Sequence, residues 1–295
     1  MCDKHRGRET AAAQYLAQRY YLSHIANSAH LFLVLGNHDG ESGRWLDASP
    51  DNLSVWSNLQ RKRSFPNPVP NTFYTGNNTP HPQAGILQNY YAWEWGDALF
   101  VALDPYWFTP KQKGNEDNWP RTLGKEQYDW LASTLSKSRA KFRFIFIHHL
   151  VGGIGRDARG GSEAAPLYEW GGHNPDGSNA FKEKRPGWPM PIHDLLLKNH
   201  VNAVFHGHDH LYVRQELDGI IYQEVPQPGY PRDNTRSAEE YGYKSGTLLS
   251  SPGHVRVEVS KDKAVVEYVR TSLPQGERSN IVNSSVADRY ELKPR

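Results

Sequence analysis

Apolar positions along this chain change period several times, and each change marks an element. Over residues 9–29, ETAAAQYLAQRYYLSHIANSA, Leu16, Tyr20 and His24 recur four apart with Tyr21 and Ile25 alongside, the spacing of an amphipathic helix that would pack on the strand after it. That strand is read at 31–35, a short apolar run. Two further runs, QNYYAWEW and ALFVALD, flank Gly96-Asp97 as a hairpin would. A helical period returns at 123–137, where Tyr128, Leu131 and Leu135 share one face, and 142–147, FRFIFI, reads as a buried strand. Pro191 opens a short helix at 191–199, after which 201–217 reads as strand, polar break and strand. HVRVEVS and KAVVEYVR alternate as a terminal hairpin, and 271–295 reads as a polar, frayed C-terminal tail. Segments 64–82, 150–190 and 226–252 are rich in Gly, Pro and polar residues and are expected to be loops; the length of 150–190 suggests a functional loop or lid.

Helices interleaved with strands predict an α/β fold, and 295 residues suffice for one large domain, taken as 1–270. Charge adds little: 34 basic and 32 acidic residues are intermixed, a net charge of +2, so no nucleic-acid polymer is expected as partner. No apolar stretch approaches the roughly 18 residues of a membrane span. Cys2 is the single cysteine, which excludes an internal disulfide and a thiolate metal cluster. Nine Trp and sixteen Tyr against two Met favour a periplasmic or secreted setting if a leader precedes this sequence, and a cytoplasmic one otherwise.

Candidate chemistry gathers where strands end. The run at 31–35 empties into Gly36-Asn37-His38-Asp39, 142–147 into His148-His149, and Phe205-His206 into Gly207-His208-Asp209-His210. In an α/β sheet the loops beyond the carboxyl ends of strands converge, so imidazoles from distant segments would meet there. Alone, the first reads as a turn and a lone strand-end histidine as structural, while GHDH is the stronger signal, since Gly207 permits a tight turn and two imidazoles two residues apart can reach adjacent points. All three in this order point to a metal site built from imidazole, amide and carboxylate, a set suited to zinc, iron, manganese, cobalt or nickel.

The order GNHD, a hydrophobic strand ending in His, then GHDH followed by LYVR resembles the calcineurin-like metallophosphoesterase superfamily, and within it the purple-acid-phosphatase-like branch, over about residues 9–270. The QYDWLASTL helix is similar too. The resemblance implies a four-layer α/β/β/α sandwich and hydrolysis of a small-molecule phosphate ester at two metal ions. It implies that Asn37, His148 and His208 bind one ion and His210 the other. His38 would be the general acid, oriented by Asp39, and His149 would stand near the substrate. Paired ions of this kind clamp a phosphoryl group and lower the pKa of water towards about 7, so the protein has left to supply only a proton for the leaving oxygen, which an imidazole of ordinary pKa near 6.5 can do.

The family pattern opens with two further motifs, Asp-x-His and Gly-Asp, that this sequence lacks. Counted back from Asn37, the bridging aspartate would fall just before Met1. The expectation is therefore an amino-terminally truncated enzyme without its first strand, in which Asp3 is an auxiliary metal ligand or, equally, an exposed charge near a terminus. Tyr106, Trp107, Phe108 and Trp119 read either as core under a loop or as an aromatic substrate wall. Arg121, Arg156 and Arg159 read as loop anchors or as a phosphate clamp, with Arg156 taken as the substrate contact. His173 reads as a loop histidine or a second contact. Rival functions are a nucleotide or glycerophospho-diesterase, and a non-catalytic metal-binding remnant of the fold.

Overall fold

The computed structural model describes residues 8–47, 49, 51–111, 117–229, 234–277 and 281–295. In chain order these hold helices α1 (Arg8–Ala26) and α2 (Leu53–Ser64), strands β1 (Thr75–Gly76), β2 (Tyr91–Trp95) and β3 (Ala98–Ala102), helix α3 (Lys125–Lys137) and strand β4 (Phe142–Ile147). Short helices α4 (Tyr168–Gly171), α5 (Phe181–Lys184) and α6 (Ile192–Lys198) come next, then strands β5 (Ala203–His206), β6 (Leu211–Leu217), β7 (Ile220–Glu224), β8 (Thr247–Ser250), β9 (Gly253–Val259), β10 (Ala264–Arg270) and β11 (Val286–Leu292).

Side chains alternate across a strand, and in β4 both faces are apolar, so the strand must be covered on both sides. Ile145 and Ile147 join Val101, Val204 and Tyr222 beneath α3 and α6, which contribute Leu131, Leu135, Leu195 and Leu196. Phe142 and Phe144 face the other way, with Phe205 and Ile221, onto Ala264, Val266, Tyr290 and Leu292 of a second sheet. The result is an α/β sandwich of an eight-stranded sheet, order β1-β2-β3-β4-β5-β7-β6-β8, and a three-stranded sheet, β11-β10-β9. The outer face of the small sheet carries ion pairs such as Arg256–Glu267 and Lys263–Glu291. At the centre of the large sheet β3, β4, β5 and β7 run parallel, with Ile147 in register with His206. Two of the three motifs therefore leave the sheet at the same level and the same end.

Three expectations are corrected. The stripe Leu16, Tyr20, Tyr21 and Ile25 of α1 is 63–72% exposed, and the helix buries Ala11 and Tyr15 instead. An alanine-rich helix offers more than one usable stripe, and the contact of Tyr15 with Phe65 selects this one. Residues 31–35 form no strand. The side-chain amide of Asn67 stands in for a ladder partner, donating to the Leu33 carbonyl at 3.1 Å and accepting from the Leu33 amide at 3.1 Å, so that residue's backbone is satisfied without a neighbouring strand. Phe32 lies on Trp93, ring centroids 4.1 Å apart. Finally, β11 pairs with β10 throughout, so this part of the C-terminal tail is not frayed.

Helix α2 buries a polar face. Asn52 caps it, accepting from the Val55 amide, and Ser54, Ser57, Asn58 and Arg61 all point inward. Arg61 meets Glu41 through Nε at 2.5 Å and a second nitrogen at 3.1 Å, and also donates to Asn89, whose amide donates to Asp104. Burial pushes the Asp104 carboxyl up to about 7. This chain of polar contacts lies directly behind the GNHD turn and joins it to the loop that follows β3.

Candidate functional site

Gly36 to Asp39 close a tight turn. The Asp39 amide donates to the Gly36 carbonyl at 3.1 Å, and its carboxylate accepts from the Gly36 amide at 2.7 Å. Asn37 faces inward from this turn and His38 is exposed. The Gly36 α-carbon sits so near the His148 ring that an added methyl would come within 3.2 Å of it. Small size at residue 36 is what lets the turn approach β4.

Three donors from three distant segments meet here. His148 Nε2 lies 2.9 Å from Asn37 Oδ1 and 3.2 Å from His208 Nδ1. The His208 Nε2 proton is donated to the Asp157 carbonyl at 2.8 Å, which leaves Nδ1 as a lone pair aimed into the cluster. Burial, reinforced by the imidazoles of His208, His38 and His210, pushes His148 down to about 3. Burial also lowers His208 and His210. Neutral imidazoles are what a metal requires. Donors on one ion with bonds of about 2.0–2.1 Å stand roughly 2.9–3.4 Å apart, so the observed spacings fit a shared ion. Among the described residues no three His, Cys, Asp or Glu side chains form one group, so the set seen is two imidazoles and an amide. Asp3 lies outside the described residues.

The GHDH turn is held by buried contacts. His208 and His210 both have positive φ, 88° and 60°. Between them Asp209 is 3% exposed. Its carboxylate accepts from Arg159 at 2.9 Å, the Gly160 amide at 2.9 Å and the Tyr243 hydroxyl at 2.8 Å, while its amide donates to Glu224. Glu224 in turn meets His206 Nδ1 at 2.8 Å. Sequence reasoning missed this cage, because Tyr243 and Glu224 sit in no motif of their own.

A cavity of about 620 Å³ opens from the cluster, lined by Gly36, Asn37 and His208 at one end and by His149, Arg121 and Arg156 among its walls. His149 donates from Nδ1 to the Leu150 carbonyl at 2.9 Å, and its buried Nε2 has no partner. The Arg121 guanidinium donates to the Arg156 carbonyl. Two expected contacts lie elsewhere. Arg159 is committed to Asp209 and stacks over Tyr241 at 4.0 Å. His173 ties its own loop through the Gly171 carbonyl, 2.9 Å away. Of the aromatic group, Trp107 and Phe108 pack with Val55 and Leu87, and Trp119 packs on Tyr168 and donates to Asn174. Only Tyr106 reaches the cavity. His210 lines a separate cavity with Glu240 and Tyr241.

Residues 4–212 match the family described as calcineurin-like phosphoesterases. Among solved structures the chain is similar to the purple acid phosphatase PPD1 from yellow lupin (Lupinus luteus) seeds, at 15% identity and a TM-score of 0.56, over 95% of this chain and 43% of that one. It is also similar to PhoD, at 16% identity and a TM-score of 0.50, over 80% of this chain and 48% of that one. The chain thus spans less than half the length of either structure. No curated protein sequence matches it.

Proposed function

Because this chain belongs to the calcineurin-like phosphoesterase family, we propose that it hydrolyses phosphate esters with Asn37, His148 and His208 holding a divalent metal and His210 serving a second. The observation that carries this reading is the convergence on His148 Nε2 of Asn37 Oδ1 at 2.9 Å and His208 Nδ1 at 3.2 Å. Three neutral acceptor-type atoms crowd there with at most one proton among them, an arrangement that a cation relieves. When bound, such ions supply Lewis acidity towards a phosphoryl oxygen and towards water. The chain's own residues supply the rest. Gly36 and the Asp39 carboxylate hold the turn. His38, exposed beside Asn37, carries the proton that the leaving oxygen takes, and His149 and Arg156 contact the ester from the cavity wall.

Metal content and hydrolysis test this together. After chelator treatment and addition of manganese or zinc, the chain should take up metal and release product from a panel of aryl mono- and diesters. The panel also separates a phosphatase from a diesterase. A chain that binds metal without turning over any ester is the non-catalytic alternative, and one that binds no metal refutes the reading altogether.

Asp209 is a positioning residue in this scheme, since it holds the turn that aims His208. Outer contacts of this kind are worth about 10–100-fold in metal affinity. Asp209→Ala is therefore expected to weaken zinc binding by that factor in a competition against a chromogenic chelator. Unchanged zinc affinity in a folded variant would remove Asp209 from the role.

A further inference from the structure

The cavity beyond the cluster has more positive charge than one phosphoryl group needs. Arg44, Lys111, Arg121 and Arg156 all line it. Its acidic lining residues do not balance them: Glu41 is bound to buried Arg61, and Asp157 is exposed and 3.7 Å from Arg159. Among the described residues, none of the four cations forms an ion pair with a carboxylate. Burial is the main burden on the Arg121 guanidinium; Tyr106 and Asp157 favour its charge, and the like charge of Arg44 opposes it more weakly, so an anion between the two guanidiniums would be attracted by both.

The wall is also built rather than incidental. The turn that bears Arg44 is docked by a hydrogen bond from the Gly43 amide to the Tyr106 carbonyl, 2.9 Å, and the Arg44 guanidinium lies over Trp45 at 4.8 Å. Arg121 is tied to the Arg156 carbonyl, which fixes its fork against the opposite loop. Between these walls the Tyr106 hydroxyl is buried and has no hydrogen-bond partner, although the residue lines the cavity and is only 7% exposed. Leaving a buried hydroxyl unpaired is unfavourable, and a ligand oxygen would satisfy it. At about 620 Å³ the cavity has the size of sites that enclose whole small molecules.

We propose that Arg44, Arg121 and the Tyr106 hydroxyl form an anion subsite that selects phosphate esters whose leaving group carries a second negative charge, either another phosphoryl or a carboxylate. This rests on the phosphoesterase reading, which places the scissile phosphoryl at the Asn37–His208 end. The second charge then falls on the cationic wall, and a neutral leaving group forgoes that attraction.

Calorimetry with three aryl phosphonates tests it without turnover: phenylphosphonate, 3-carboxyphenylphosphonate and 1,3-phenylenediphosphonate, titrated into the metal-loaded chain. At low salt one or both doubly anionic probes should bind about tenfold tighter than phenylphosphonate, with the advantage shrinking at high ionic strength. The probe that gains identifies the second group. Arg44→Gln, at an exposed position where folding is not at stake, should cut the ratio about threefold, and Arg44→Gln with Arg121→Gln should bring it to near one. A wild-type ratio within twofold of one, or variants that weaken all three probes alike, would overturn the subsite. Preference without hydrolysis of the matching phosphate esters would leave the subsite standing and defeat the proposed function. Hydrolysis without preference would do the reverse.

Discussion

Replacing His38 with alanine is expected to slow hydrolysis of an alkyl phosphate by about 10²–10⁴-fold while metal content and fold stay unchanged. The reason lies in how the turn divides its two tip residues. Asn37 faces His148 and belongs to the donor set, whereas His38 is exposed beside it. Truncating an exposed side chain removes no core, and the turn is closed by Gly36 and Asp39, which remain. On the proposed mechanism, what disappears is the proton donor to the departing oxygen. An alkoxide needs that proton badly and a nitrophenolate hardly at all, so the loss should be large for an alkyl ester and small for 4-nitrophenyl phosphate. Steady-state kinetics on both esters, with metal analysis of the same samples, reads the difference. An equal loss on both would mean that His38 acts by binding or by charge, and loss of metal would place it in the donor set.

The second large effect concerns stability. Arg61→Met should lower the unfolding free energy by about 3–5 kcal/mol, because it leaves the Glu41 carboxylate buried without its counter-ion. Both side chains are nearly inaccessible, 3% and 1% exposed. Among the described residues Glu41 retains only the Asn58 amide, at 2.7 Å, as a side-chain donor. The double variant Glu41→Leu with Arg61→Met removes both charges and should recover much of the loss. Urea unfolding of the wild type, the single variant and the double variant measures this, provided the slope with denaturant is unchanged. A single variant within about 1 kcal/mol of the wild type would show that water reaches Glu41. The pair also fixes the base of the GNHD turn, so the destabilised variant should lose metal affinity along with stability.

What the sequence made legible follows from where burial and periodicity coincide. The face of α3 and the hairpin of β2 with β3 were readable because their buried positions are apolar at the right spacing. Helix α2 was not, since its buried residues Ser54, Ser57, Asn58 and Arg61 are polar and mimic a solvated segment. Strand β11 hid for the opposite reason. Its outward residues pair with charged neighbours, as Arg289 does with Glu267, and only Tyr290 and Leu292 reach the core. At the site, the imidazoles were readable because strand ends and small residues frame them. Arg44 and Asp209 were not assigned their places, and Tyr106 was not separated from its aromatic neighbours, because loops carry no period and their partners lie far away in the chain. Arg159 shows the limit well: its sequence neighbourhood suits a substrate contact, and its geometry commits it to Asp209.

The positive φ angles of His208 and His210 carry an evolutionary consequence. A side chain in that region costs of order 1–3 kcal/mol that glycine would not incur, so drift governed by folding alone would move both positions towards glycine. If His208 and His210 hold metal as proposed, the imidazoles are kept there for chemistry at a cost in stability. Engineering for heat resistance by statistical preference would tend to erase them first, and a library screened only for solubility would be enriched in well-folded, inert proteins.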